Sequence, residues 1–115
     1  MKFGKAARLR RRREYLAVQQ RGARVFVGDV IVLALDAGAD MPRIGITVSS
    51  KITNAVGRNR VRRWAREAFR AVYTELPPVD LVVIGRAGST TLGLQGMVRA
   101  LRAAGERLRA AGGRT

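Results

Sequence analysis

The feature that most constrains the fold is a run of arginines between Ser49 and Arg70 whose spacing is helical. The run carries seven cationic side chains against one acid, Glu67. At about 100° per residue, its apolar residues gather on one side of a helix and its arginines fan across the other. The apolar side consists of Val61, Trp64, Ala65, Ala68, Phe69 and Val72, and the charged side of Arg62, Arg63, Arg66 and Arg70. The pattern predicts a helix from about Arg58 to Leu76 that packs on a core and presents cations to a long polyanion.

The charge of the whole chain favours nucleic acid as that polyanion. Its 115 residues carry a formal net charge of +15. A charge run often serves only as a solvated face, but soluble surfaces usually mix both signs, and a one-signed stripe costs stability through repulsion unless a partner neutralises it. Arginine outnumbers lysine by twenty to three. That excess fits either bidentate phosphate recognition or a genome that favours arginine codons.

The composition argues against several kinds of site. The chain has no histidine and no cysteine, so it lacks the commonest general base, thiolate zinc ligands and disulfides. Its eight carboxylates are scattered along the sequence, without a tight pair that could hold two magnesium ions. A conventional protein-only nuclease is therefore not expected. Apolar runs far shorter than about 20 residues argue against a membrane span, and we expect a cytoplasmic protein.

The pattern of apolar residues predicts an α+β fold in one domain, residues 1–115. Residues 1–7 are expected to form a mobile arm and residues 110–115 a flexible tail. The predicted elements are a helix at 9–20 ended by Gly22, a long strand at 23–37 with a possible bulge at Gly28 and Asp29, a strand at 43–49 returning alongside it, the arginine-rich helix, a central strand at 80–86, and a closing helix at about 94–108. This order predicts a two-layer α/β sandwich: a small mixed sheet with helices packed on one face.

Four features allow two interpretations when only the residues are considered. Asn59, at the predicted helix start, can cap the helix or hydrogen-bond a base or sugar. The cluster at 8–13 is either a second anion site or a disordered arm. Tyr15, beside it, is either a core anchor or a stacking platform for an unpaired base. Trp64 lies on the apolar side of its helix, where burial is favoured over contact with RNA.

The arginine-rich segment resembles the signature of the protein subunit of bacterial ribonuclease P. The matching residues are Lys51, Ala55-Val56, Arg58-Asn59-Arg60, Arg62-Arg63, Arg66-Glu67 and Phe69-Arg70, and the likeness extends over roughly residues 8–108. The resemblance implies an α/β sandwich whose left-handed βαβ crossover carries the arginine-rich helix. It also implies the activity of an endoribonuclease ribonucleoprotein, in which a catalytic RNA removes the 5′ leader of precursor tRNA with Mg²⁺ held mainly by that RNA. The protein would be an accessory subunit.

The resemblance also implies two sets of binding residues. Those expected to contact the ribonuclease P RNA are Lys51, Arg58, Asn59, Arg60, Arg62, Arg63, Arg66 and Arg70. Those expected to line a cleft for the single-stranded 5′ leader are Tyr15 and two exposed sheet positions, Leu33 and Thr47. The chain departs from the family at Gln19 and Leu33, where an aromatic residue is frequent, and at Ser50, where a lysine is frequent.

Two other functions fit part of the same pattern. A ribosomal or other structural RNA-binding protein would have the same charge and size but take no part in processing. A free-standing nuclease would cleave precursor tRNA without an RNA subunit, which the lack of histidine disfavours. The signature of the arginine-rich segment favours the ribonuclease P subunit, for which no membrane and no obligate protein partner is expected.

Overall fold

Four segments rich in β-branched residues form one mixed sheet in the computed structural model, which describes residues 7–112. They are β1 (Ala23–Val27), β2 (Val30–Leu35), β3 (Arg43–Val48) and β4 (Asp80–Gly85). The strand order is β1-β2-β4-β3, with β2 antiparallel to both of its neighbours and β3 parallel to β4. The predicted fold class and the central position of the strand at 80–86 are confirmed.

Helices cover both faces of this sheet. They are α1 (Arg12–Arg21), α2 (Ala55–Val72) and α3 (Gly93–Gly112), with short 3-10 turns at Tyr73–Glu75 and Ala87–Thr91. The main core lies between the sheet and the pair α2 and α3, and a smaller cluster lies under α1. The expectation that all helices share one face is wrong, because the central strands are apolar on both sides: Val32 faces the main core and Leu33 faces α1.

The single long strand predicted at 23–37 is instead a β-hairpin. Val27 pairs with Val30, so Gly28 and Asp29 form a two-residue turn. Gly28 has a φ of 59°, and a positive φ at the first central position is typical of glycine in a type II′ turn. The two residues interpreted as a bulge therefore reverse the chain, and β1 becomes an edge strand.

The strand at 43–49 also pairs differently from the prediction. It does not return alongside β2 but lies beside β4, to which α2 connects it. Its outer edge is partly covered by the N-terminal segment, where Arg8 bridges Ile44 and the Leu9 N–H donates to the Ile44 carbonyl at 2.9 Å. Ala7 is buried in the main core and Leu9 in the α1 cluster, so this segment crosses the sheet edge.

The ends of the chain depart from the expected arm and tail. Ala7 is only 6% exposed, which contradicts its assignment to a mobile arm. Residues 110–112 continue α3 rather than forming a flexible tail. The rest of both predictions, residues 1–6 and 113–115, lies outside the described residues.

Two polar side chains set the starts of α1 and α2. The Glu14 carboxylate accepts hydrogen bonds from the N–H groups of Arg10 and Arg11, both at 3.0 Å, so α1 begins at Arg12 rather than at residue 9. Asn54 caps α2, its Oδ1 accepting from the Gly57 N–H at 2.9 Å. The helix therefore begins at Ala55, three residues earlier than predicted.

Candidate nucleic-acid interface

The two sides predicted for the arginine-rich helix are present in α2. Its apolar side packs in the main core, with Trp64 half-buried against that core as expected. The fully buried residues of this side are Val61, Ala65, Ala68, Phe69 and Val72. The opposite side carries two groups of polar, mostly cationic residues rather than one stripe. We call them the outer row, formed by Asn59, Arg60 and Arg63, and the edge row, formed by Arg62, Arg66 and Arg70.

The outer row points away from the domain. Its three residues and Val56 line a shallow pocket of about 260 Å³, and all four are exposed. Because Asn54 caps the helix, the capping role considered for Asn59 is excluded, and the Asn59 Oδ1 instead accepts from Arg62 Nη1 at 3.3 Å. Val56 is 66% exposed. This surface offers cations, an amide and an apolar patch, which suit phosphate, base and sugar respectively.

The edge row follows the outer edge of β3. Arg62 and Arg66 line a groove of about 250 Å³ with Tyr15 on α1, so α1 and α2 face each other across this edge. The other lining residues of this edge groove are Arg8, Leu9, Ile44, Gly45 and Ile46. An adjoining pocket of about 180 Å³ includes Arg66 and Arg70. Cations of α2 and Arg8 of the N-terminal segment thus converge on the β3 edge.

Tyr15 is held against the sheet at a glycine. A Cβ atom at Gly45 would lie 2.6 Å from both Cε2 and Cζ of the Tyr15 ring, so only glycine lets the ring approach the strand this closely. The ring is half-buried beside the α1 cluster and also lines the edge groove. The ring therefore packs on the sheet, as the core interpretation expects, while part of it faces the edge groove, and its stacking role stays a prediction.

An ion-pair network fixes the helix start that carries Tyr15. Arg43 donates from Nη1 to Glu14 Oε2 at 3.2 Å and from Nη2 to Asp80 Oδ2 at 2.7 Å. Hydrogen bonds from the Arg11 and Arg10 backbone, with the nearby Arg43 charge, hold the pKa of Glu14 below its usual value. The same acids raise the pKa of Arg43, chiefly through its hydrogen bond to Asp80.

The sheet face under α1 is only partly covered by that helix. Leu33 and Val82, in the row beside Gly45, are buried beneath Val18. Leu33 is 1% exposed, so the expectation that it is an exposed cleft position is wrong. The next row is only partly covered, with its two isoleucines packed against the edge of the α1 cluster. It runs across the four strands in the order Thr47, Ile84, Ile31 and Phe26.

We call this row the cleft floor. Thr47, Ile84 and Ile31 are half-buried and Phe26 is exposed. Thr47 therefore lies on the expected face, two residues along β3 from the glycine that contacts Tyr15. The sequence interpretation missed the other three residues, because their alignment depends on strand register. The signal available was the period-two alternation, which places Ile31 on the same face as Leu33.

The remaining predicted residues lie around these surfaces. Lys51 is exposed in the turn that follows β3, where its N–H donates to Ser49 Oγ at 3.0 Å. Arg58 is half-buried and donates from Nη1 to the Thr53 carbonyl at 2.9 Å, so part of its hydrogen-bonding capacity stabilises the connector before α2. The cluster at 8–13 is part of the fold rather than a disordered arm; its arginines are exposed, and Arg8 lines the edge groove.

Among residues 7–112, no group of three or more acidic side chains is placed so that it could hold a metal ion. Within the same range, no helix combines the length and apolar character needed to cross a bilayer.

Comparison with known proteins identifies the family. The family model for ribonuclease P matches residues 3–109. The ribonuclease P protein component of Gluconacetobacter diazotrophicus is 44% identical over 110 residues, which cover 90% of this chain and 95% of that relative. The component from Syntrophus aciditrophicus is 39% identical over 76% of this chain and 73% of its own length.

Solved structures agree with this assignment. The RNase P protein from Thermotoga maritima has a TM-score of 0.78 at 31% identity, over 87% of this chain and 96% of that one. The Staphylococcus aureus RNase P protein also has a TM-score of 0.78, at 25% identity, over 91% and 96%. The chain therefore belongs to the family of bacterial ribonuclease P protein components, the accessory subunits of an endoribonuclease ribonucleoprotein that processes tRNA.

Proposed function

We propose that this protein binds ribonuclease P RNA through the outer row of α2 and holds the 5′ leader of precursor tRNA between the edge groove and the cleft floor. The observation that carries the proposal is the divergence of the two rows on one helix. Residues of the outer row face away from the domain, whereas Arg62 and Arg66 face Tyr15 across β3. One rigid helix can thus contact two RNA segments at once.

The two surfaces suit different RNA partners. The outer row is exposed and only shallowly concave, and its guanidinium groups match phosphates of a folded RNA. The edge groove and cleft floor are concave and combine an aromatic ring, aliphatic side chains and cations, which is the chemistry that binds single-stranded RNA. A leader strand in the groove would place its phosphates near Arg62 and Arg66 and an unpaired base near Tyr15.

In this proposal the protein residues bind and orient RNA, and the bond cleavage belongs to the RNA subunit. Mg²⁺ held by that RNA would supply the charge stabilisation needed for phosphodiester hydrolysis. Neutralisation of phosphates by the two rows should lower the magnesium concentration needed for assembly and substrate binding. A protein making about 6 to 10 phosphate contacts should lose on the order of 10³ to 10⁵ in affinity between about 50 and 200 mM salt.

The test is precursor-tRNA cleavage at low magnesium with ribonuclease P RNA alone, protein alone and both together. Stimulation only in the mixture supports an accessory subunit. RNA binding without stimulation would indicate a structural RNA-binding protein, and cleavage by the protein alone would indicate a free-standing nuclease.

Two variants separate the proposed surfaces in the same assay. Arg60→Ala with Arg63→Ala should weaken assembly with the RNA subunit but leave KM for the precursor unchanged once the protein is saturating. Tyr15→Ala should leave assembly unchanged and raise KM. The same response in both variants would contradict the assignment of two RNA segments to two surfaces.

A further inference from the structure

Phe26 is the only exposed aromatic side chain among residues 7–112, and its position in the sheet is unusual. It is 55% exposed at the edge strand β1. Its cross-strand partner is Ile31, which packs on the α1 cluster, so the phenyl ring lies on the α1 face of the sheet. An isolated exposed apolar residue needs no explanation. Phe26, however, continues a row of partly open side chains.

That row is long enough to hold more than one nucleotide. Phe26 and Thr47 stand at its two ends, separated by three strand spacings, or about 14 Å. Tyr15 lies near the Thr47 end, through its contact with Gly45. The two aromatic rings are therefore at opposite ends of the cleft floor, with Ile84 and Ile31 between them.

The charges around the Phe26 end favour a polyanion. Arg24 is exposed on the same face, two residues before Phe26 on β1. Arg86 follows β4 and is exposed beside the hairpin turn, with its Nη1 donating to the Gly28 carbonyl at 3.4 Å. The acid of that turn, Asp29, instead lines a pocket with Arg99 on the α3 side. The aromatic ring is thus flanked by cations.

The backbone beneath the ring is held in place from the opposite layer. Arg107 of α3 donates from Nη1 to the Phe26 carbonyl at 2.7 Å. Edge strands commonly fray, and this bond ties the outer strand to the helix behind it. A ring on a fixed strand loses little additional freedom when a flat ligand packs on it.

We infer that Phe26 is a stacking platform for one unpaired base of the precursor leader at the far end of the cleft floor, with Arg24 contacting an adjacent phosphate. This inference rests on the proposed function, since it requires the leader to run along the cleft floor. It extends the leader-binding surface from Tyr15 across the whole sheet. Base–aromatic stacking tolerates any base, so the platform would favour leader length rather than leader sequence.

The experiment measures the affinity of the assembled holoenzyme for two precursors, one with a one-nucleotide leader and one with a leader of about eight nucleotides. The longer leader is extended enough to span the whole cleft floor, which is about 14 Å long. Phe26→Ala should weaken binding of the long-leader precursor by about tenfold. The same variant should leave unchanged both the affinity for the short-leader precursor and the affinity for the RNA subunit. Phe26→Trp should restore binding, and Met41→Ala, at another exposed apolar residue, serves as the control.

Abasic substitutions at successive leader positions then locate the contact. One abasic position should weaken binding to the wild-type protein but not to Phe26→Ala. If wild-type binding depends on leader length but Phe26→Ala equals wild type at every position, the inference is wrong and the proposed function stands. If wild-type binding does not depend on leader length, both are wrong. If the free protein is a dimer that Phe26→Ala converts to a monomer, the ring is a contact between copies and the inference is overturned.

Discussion

Arg43 donates two parallel hydrogen bonds to the buried carboxylate of Asp80, from Nε to Oδ1 at 2.8 Å and from Nη2 to Oδ2 at 2.7 Å. Asp80 is only 2% exposed, and Arg43 also reaches Glu14. One guanidinium group therefore joins β3, β4 and the first turn of α1. The position of Tyr15, one residue after Glu14, depends on this junction.

Removal of that guanidinium group should destabilise the fold. Arg43→Met leaves the Asp80 carboxylate buried without its partner, and the free energy of unfolding should fall by about 3 kcal/mol in urea denaturation. Arg102→Met is the matched control, because its partner Glu75 is exposed and water can solvate it. Equal losses in the two variants would contradict the role assigned to the buried pair.

Glu14 should make the stability depend on pH in the acid range. Its pKa is lowered in the fold by hydrogen bonds from the Arg11 and Arg10 N–H groups and by Arg43, against a usual value of 4.5. Its contribution is therefore complete above the unfolded-state pKa and is lost as pH falls through the lower folded-state pKa. Glu14→Gln should flatten the fall in unfolding free energy below about pH 5. Glu67→Gln makes the same charge change on the exposed side of α2, and equal flattening by both would exclude a specific effect.

Gly45→Ala should displace Tyr15. The added Cβ would lie 2.6 Å from two ring carbons, and such overpacking typically costs about 1–3 kcal/mol. We expect a lower free energy of unfolding together with a higher KM for long-leader precursors. In a double-mutant cycle, Gly45→Ala should be nearly neutral for stability when Tyr15 is already alanine. Additive effects would show that the ring does not occupy this contact in solution.

Asn54 and Asn59 offer a matched pair for separating stability from binding. Asn54→Ala removes the cap of α2 and should lower the free energy of unfolding by about 1 kcal/mol. Asn59→Ala removes only an exposed hydrogen bond to Arg62, so it should leave stability nearly unchanged while weakening RNA binding. The measurements are thermal unfolding and filter binding of ribonuclease P RNA. The reverse pattern would restore Asn59 as the cap.

The edge row should contribute to the salt dependence with which the holoenzyme binds the leader of precursor tRNA. Arg62→Ala with Arg66→Ala should reduce the slope of log affinity against log salt by about two, because two phosphate contacts are lost. Arg99→Ala with Arg102→Ala removes the same charge from exposed positions on α3. A slope that changes equally in both double variants would show a general charge effect rather than contacts at the β3 edge.

Local pattern was sufficient for the parts of the structure that depend on neighbours in sequence. The period of the apolar residues predicted that Val61 and Phe69 lie on the side of α2 that packs on the core. The run of positive charge on the other side predicted RNA binding. The all-apolar segment at 80–86 was correctly predicted as a central strand. These features follow from helical and strand geometry within about 20 residues.

The pairing between segments distant in sequence could not be predicted from local pattern. Leu33 and Ile31 have the same local pattern, yet Leu33 is buried beneath Val18 and Ile31 lies in the partly covered row, because the position of α1 across the sheet decides which row is covered. The hairpin at Gly28 was missed because two turn residues inside a β-branched run also fit a bulge.

The sequence by itself therefore determined the fold class and the arginine-rich helix with its apolar and cationic sides, since each depends on local periodicity and charge. Only the tertiary structure decided that the cations form two rows, that Tyr15 rests on Gly45, and that Phe26 ends a partly covered row of the sheet. The physical reason is that side chains distant in sequence become neighbours only through strand register and helix placement, which the whole core sets together.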